Sequence, residues 1–137
     1  MSVVVDSSIA LAWVYDDESS AAAEGVLDLV IQAGGVVPAL WRLEVANSLV
    51  HAARRGRINA AHVDQSLADL MSLDIAVDPE TNLHAWSRTY GLAVRFGLTV
   101  YDAAYLELAQ RRELPLASLD GDLRAAAKSL GVPLLGV

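Results

Sequence analysis

Four acids in this sequence, Asp6, Glu44, Asp102 and Asp120, combine a reactive side chain with a suggestive position. Asp6 directly follows the apolar run Val3-Val4-Val5, and Asp120 follows the short run Leu116-Ala117-Ser118. Glu44 and Asp102 fall in the first turns of segments with helical spacing. The chain has no cysteine and only three histidines, so its chemistry has to come from carboxylates. In a parallel α/β sheet, ligands bind in the crevice beyond the carboxyl ends of the strands, where acids distant in the chain can converge. Four carboxylates sharing one crevice repel each other and raise each other's pKa unless cations intervene. Hard oxygen donors with little nitrogen or sulfur favour Mg²⁺, with Mn²⁺ as the alternative. Such a site activates water and holds a phosphodiester for in-line attack, with one ion or two.

Each acid also has an ordinary structural role open to it. Asp6 suits the N-cap of the helix that follows. Asp102, three residues after Thr99, resembles the acid of a capping box. Asp120-Gly121 suits a turn. Glu44 fits such a role least well, because it sits between Leu43 and Val45, where a surface acid is less expected.

Alternating strands and helices would position these residues. Val3-Val4-Val5 reads as a buried strand, Ile9 to Val14 as a short helix, and Ala21 to Gln32 as a second helix stopped by Gly34-Gly35. Val36-Val37-Pro38 is a second strand. Leu40 to Arg55 is a helix with apolar Leu43, Ala46, Leu49, Val50 and Ala53, and Asn59 caps another that runs to about Leu73. Ile75-Ala76-Val77 is a third strand, and Asp78-Pro79-Glu80 starts a helix reaching about Phe96, with proline in its first turn. Thr99 opens a helix through Arg112, Leu116 to Ser118 is a fourth strand, Asp120 to Leu130 a helix, and Val132 to Leu135 a last strand. This alternation predicts one α/β domain over residues 1–137, a short parallel sheet flanked by helices.

Composition sets further bounds. A hydrophobic share of 54% in 137 residues favours an ordered core over disorder. Without cysteine, neither a disulfide framework nor a thiolate metal site is available. Asp6 interrupts the first apolar run and no basic segment precedes it, so a signal peptide is not expected. No run reaches the roughly 20 apolar residues needed to span a bilayer. The expectation is a cytoplasmic protein with no membrane association. The net charge of -7 opposes nucleic-acid binding, although cations in an acidic site would cancel part of it, and Arg54, Arg55 and Arg57 are clustered.

Four segments together resemble the PIN-domain family, and most closely its VapC toxins. Val3-Val4-Val5-Asp6-Ser7-Ser8 resembles the opening strand, acid and hydroxyl pair of that family, and Leu43-Glu44-Val45-Ala46-Asn47 resembles its second-acid helix. Leu98-Thr99-Val100-Tyr101-Asp102-Ala103-Ala104-Tyr105 is the most specific match. Leu116-Ala117-Ser118-Leu119-Asp120-Gly121-Asp122-Leu123 resembles the closing segment. The resemblance implies a three-layer PIN-like fold and a Mg²⁺-dependent endoribonuclease that leaves a 5′-phosphate. Asp6, Glu44, Asp102 and Asp120 would be both the catalytic and the metal-binding acids. Ser7 or Ser8, Asn47 and Ser118 would orient carboxylates or water. Asn47, three residues after Glu44, lies on the same helix face. Asp122 competes with Asp120 for the fourth place.

The same resemblance implies a toxin that pairs with itself, is held inactive by a VapB-like antitoxin, and takes RNA as substrate. Trp13, Tyr15, Trp41, Leu49 and Val50 could serve such contacts, with core packing the safer reading for most of them. Arg54, Arg55 and Arg57 either grip phosphates or simply complement a helix end. His51, His62 and His84 read as surface or packing residues, and Trp86, Tyr90 and Phe96 as core. Two alternatives stay within the fold: a nuclease that processes RNA without an antitoxin, and a non-catalytic binding module. A haloacid-dehalogenase-like enzyme would need an acid where Ser8 stands. A receiver domain would need an acid pair after the first strand, where Asp6 stands alone.

Overall fold

The β-branched run Val3–Val5 forms β1 and is wholly buried, as expected of a strand covered on both faces. The computed structural model describes residues 2–137. After β1 come α1 (Ser7–Val14), a 3₁₀ turn (Asp16–Glu18), α2 (Ala21–Ala33), β2 (Gly35–Val37), α3 (Trp41–Arg54), α4 (Ala60–Met71) and β3 (Ile75–Val77). The chain continues through α5 (Thr81–His84), a π turn (Ala85–Thr89), α6 (Tyr90–Phe96), α7 (Val100–Arg112), β4 (Leu116–Ala117), α8 (Gly121–Ser129) and β5 (Leu134–Leu135).

The five strands form one sheet in the order β3-β2-β1-β4-β5, and every pair is parallel. The chain builds outward from β1 to β2 and β3, then returns to the other side of β1 for β4 and β5. The strand order therefore reverses at β1, and the crevice beyond the ends of β1 and β4 is the binding position favoured in open α/β sheets. Among the described residues, no helix is long and apolar enough to cross a membrane.

Local signals set the helix ends. Ser20 Oγ accepts from the Ala23 amide at 3.1 Å, Asn59 Oδ1 from His62 at 2.8 Å, and Thr99 Oγ1 from Asp102 at 3.1 Å. Each such cap contributes about 1 kcal/mol. Gly34, at φ +81°, ends α2 in a conformation that a side chain would strain. Leu49, Leu106, Leu108, Leu116 and Leu123 fill the core beside the central valines.

Three sequence expectations need correction. The second strand begins at Gly35 and leaves Pro38 outside the ladder, because proline lacks the amide that the ladder requires. The helix expected from Asp78 begins at Thr81, with Glu80 at its cap, and runs to Phe96, so Asp78 lies before it. This aspartate is 1% exposed and accepts from Arg111 at 2.5 Å and Arg112 at 2.9 Å, while Arg111 also pairs with the buried Glu107 at 2.7 Å. Trp86 and Tyr90 are not core residues: Trp86 is 98% exposed and Tyr90 is exposed as well, whereas Phe96 packs against the core. Along this helix Thr89, Leu92 and Ala93 face inward, and Leu83, Trp86, Tyr90 and Val94, three or four residues apart, form the opposite, solvent-facing stripe. On α3, Trp41, Val45 and Leu49 are buried, and Leu43 and Val50 point outward.

The Asp78 cluster makes a testable contribution to stability. Burial alone would raise the Asp78 carboxyl, but hydrogen bonds from Arg111 and Arg112 outweigh it and hold the group below the usual aspartate range. A depressed carboxyl adds stability above its unfolded pKa of about 3.9, and that contribution is lost as pH falls through the lower folded value. Asp78→Asn should cost about 3 kcal/mol in urea unfolding at pH 7. The gap from wild type should narrow as pH falls below 4; a gap that stays constant would remove the ion pair as its cause.

Candidate active site

Asp6 leaves β1 at the reversal point of the sheet and caps α1, with Oδ1 accepting from the Ile9 amide at 3.3 Å. The same oxygen accepts from the Ser8 hydroxyl, and Oδ2 accepts from the Ser118 hydroxyl at 2.6 Å. Ser118, just past β4, is fully buried, and its oxygen accepts in turn from the Asp120 amide at 3.0 Å. The Ser8 oxygen accepts from the Leu119 amide at 2.9 Å. These two hydroxyls lace the end of β1 to the end of β4. Cap and candidate ligand are thus compatible roles for Asp6.

The other three acids surround this point. Glu44, half-buried in the first turn of α3, has its Oε1 2.5 Å from the hydroxyl of Tyr105 on α7. Asp102 lies in the first turn of α7, where the Thr99 hydroxyl, not the Asp102 carboxylate, does the capping. Asp120 caps α8, accepting from the Asp122 amide at 3.3 Å.

Electrostatics link the four. Burial raises the Asp6 carboxyl, opposed by hydrogen bonds from Ser118 and Ser8. Burial also raises Glu44, with the Tyr105 hydrogen bond acting against it and the charges of Asp102 and Asp6 adding to it. Asp102 is raised by burial and then by Asp120 and Asp6. Repulsion thus runs from Asp6 and Asp102 to Glu44 and from Asp120 and Asp6 to Asp102, near the positive N-terminal ends of the helices that carry them.

The donor set of carboxylates and hydroxyls suits a hard divalent cation. Among the described residues, no three of these groups close into a coordination shell. Several of their oxygens are already engaged: both of Asp6, one of Glu44 and one of Asp120.

The remaining candidates divide. Ser8 and Ser118 touch Asp6, while Ser7 is half-buried in the first turn of α1. Asn47 is exposed one turn beyond Glu44, whose hydrogen bond comes from Tyr105 instead. Asp120 acts on Asp102, and Asp122 is exposed. Arg57 is committed elsewhere: it pairs with Asp17 at 2.8 Å and Glu18 at 2.6 Å, and stacks 3.9 Å from the centre of the Tyr15 ring. Arg54 and Arg55 are exposed. His51 is exposed, His62 Nε2 lies 2.9 Å from the Val14 carbonyl, and His84 pairs with Glu80 at 3.2 Å. Tyr105 is the residue that sequence reasoning passed over as a participant. Its place three residues after Asp102, on the same helix face, was the available signal.

A parallel sheet in this order with acids at its reversal point defines a class, and the PIN domain family model matches residues 3–129. The chain belongs to the PIN-domain family. Within it, the chain is similar to Ribonuclease VapC3 of Pyrobaculum aerophilum, with 31% identity over 133 residues, covering 97% of this chain and 100% of that one. The crystal structure of PAE2754 from Pyrobaculum aerophilum superposes with a TM-score of 0.70 at 28% identity, covering 98% of this chain and 89% of that one. Two more distant structures share the fold. VapBC2 from Rickettsia felis, bound to a DNA fragment from its promoter, gives a TM-score of 0.62 at 11% identity, covering 98% and 97% of the two chains. VapC20 of Mycobacterium tuberculosis, a Sarcin-Ricin loop cleaving toxin, gives 0.58 at 18% identity, covering 90% and 94%.

The crowding of charge predicts an unusual stability effect. A raised carboxyl pKa means that the folded chain binds its proton more tightly than the unfolded chain does. The charged form therefore costs stability, and this cost is absent below the ordinary carboxylate range and grows as pH rises through the raised value. In chelator-treated buffer, Asp102→Asn should match wild type near pH 4 and exceed it in urea unfolding at pH 7. A less stable variant at pH 7 would make the Asp102 carboxylate a structural group.

Proposed function

We propose that this chain is a divalent-metal-dependent endoribonuclease and the toxin half of a toxin–antitoxin pair. The observation that carries the reading is the placement of Asp6 at the reversal point of the sheet, laced through Ser118 to Asp120, with Glu44 held by Tyr105 one turn beyond Asp102 on α7. Full-length similarity to a protein named as a ribonuclease supports RNA as the substrate class.

Asp6, Glu44, Asp102 and Asp120 would hold the cation, Mg²⁺ or Mn²⁺. When bound, it supplies a water of lowered pKa and a positive charge against which an RNA phosphate can rest. Ser8 and Ser118 fix the carboxylate of Asp6, and Ser118 ties it to the backbone of Asp120. Ser7, Asn47 and Asp122 would be auxiliary polar groups. Arg54 and Arg55 offer exposed cations to the phosphate backbone, a role less open to Arg57 because of its pairing with Asp17 and Glu18.

Two surfaces support the partner side of the reading. A groove of about 720 Å³ is lined by Trp13, Leu27, Ile31, Leu70 and Leu73, with Asp16 and Asp69 beside them. It suits an apolar antitoxin segment carrying basic residues. Leu83, Trp86, Tyr90 and Val94 form an exposed apolar stripe, the kind of surface that favours self-association as a homodimer. Such a toxin would act in the cytoplasm, as a single PIN domain.

Asp102→Asn, which nearly preserves shape, should lower Mg²⁺-dependent cleavage of RNA by about 10²-fold or more while leaving the fold intact. Full cleavage by this variant, or cleavage by wild type in excess chelator, would overturn the metal-site reading. Trp86→Glu should convert a dimer to a monomer in sedimentation velocity without unfolding. A wild-type protein that sediments as a monomer at high concentration would remove the homodimer alone.

A further inference from the structure

Glu44 differs from Asp6 in how it is held. Asp6 is anchored by two hydroxyls and a backbone amide, whereas Glu44 is a longer side chain on a half-buried helical position. Among the described residues, its hydrogen-bond partner is the Tyr105 hydroxyl, 2.5 Å away and 61 positions along the chain. Tyr105 is 1% exposed, packed in the core one turn beyond Asp102 on α7. An ordinary phenol ionises only near pH 10 (about the unperturbed tyrosine value). The phenol therefore keeps its proton and can only donate to Glu44.

The charges of Asp102 and Asp6 press against Glu44, and its rotatable bonds would otherwise let it swing toward solvent. We propose that Tyr105 is a positioning residue that holds the Glu44 carboxylate at the crevice, so that the acid is in place before a divalent cation arrives. The inference rests on the metal-dependent nuclease reading above. Oε1 is engaged by the phenol, and Oε2 has no protein donor among the described residues. An ordered ligand spares the rotamer entropy that a mobile glutamate would lose on binding the ion. Groups that orient metal ligands typically change affinity by roughly 10–100-fold when removed.

The test is Mn²⁺ binding, followed by electron paramagnetic resonance of the free ion, for wild type, Tyr105→Phe, Glu44→Gln and the double variant. Tyr105→Phe should weaken Mn²⁺ by about tenfold, while the same change in the Glu44→Gln background should have little further effect. In RNA cleavage, Tyr105→Phe should lose kcat with KM for RNA nearly unchanged, and should recover as Mg²⁺ is raised. Equal losses in both backgrounds, or affinity like that of wild type, would overturn the role. Should Tyr105→Phe not fold, titration of wild type with Mg²⁺ should give a saturable ultraviolet difference band of a perturbed phenol that Glu44→Gln lacks. Absence of that band in wild type counts against the proposal. A wild-type protein that neither binds Mn²⁺ nor cleaves RNA removes the nuclease reading itself. A normal wild type with an unaffected Tyr105→Phe removes only the part assigned to Tyr105.

Discussion

Bringing acids together beyond β1 and β4 sets a constraint that the surrounding structure answers. Like charges in a partly desolvated crevice oppose folding, and the chain offsets this with hydrogen bonds from Ser8, Ser118 and Tyr105 and with the amide-rich starts of α1, α7 and α8. The topology makes the gathering possible. Reversal of strand order at β1 places the exits of β1 and β4 side by side, so Asp6 and Ser118 meet although 112 positions separate them.

A site that costs stability when empty of positive charge has a thermodynamic corollary. Any cation that binds the folded chain alone stabilises it by mass action, about 2.7 kcal/mol at a hundredfold excess over its dissociation constant. On the proposed metal-site reading, fold and ligand would be linked through the same carboxylates. This also bears on the net charge of -7, which at first sight argues against a polyanionic substrate. The proposed cation would neutralise part of the charge on the four acids, and Arg54 and Arg55 are exposed at the end of α3.

Much of this was legible in the residues themselves. Val3–Val5, the caps at Ser20, Asn59, Thr99 and Asp120, and the stop at Gly34 are local signals that the chain obeys. Ser118 could be named as a partner for an acid because its segment announced it. What local pattern could not supply was long-range pairing. Asp78 looks like a helix start beside Pro79, and nothing nearby reveals that Arg111 and Arg112 will bury it. Trp86 and Tyr90 fall on the outward stripe of their helix, and large aromatic side chains on an exposed face run against the composition rule that placed them in the core. Tyr105 sat within a recognised segment, but its contact lies on a different helix.

The Asp78 ion cluster has one further consequence, for α7. This helix of 13 residues carries Asp102 and Tyr105 near its start and Glu107, Arg111 and Arg112 toward its end. One end is moored to the crevice through Tyr105, the other to the chain beyond β3 through buried charge. At about 1.5 Å per residue it acts as a strut some 20 Å long. A stiff strut passes displacement from one mooring to the other, so disturbance at the β3 edge of the sheet would be felt as misalignment among the carboxylates.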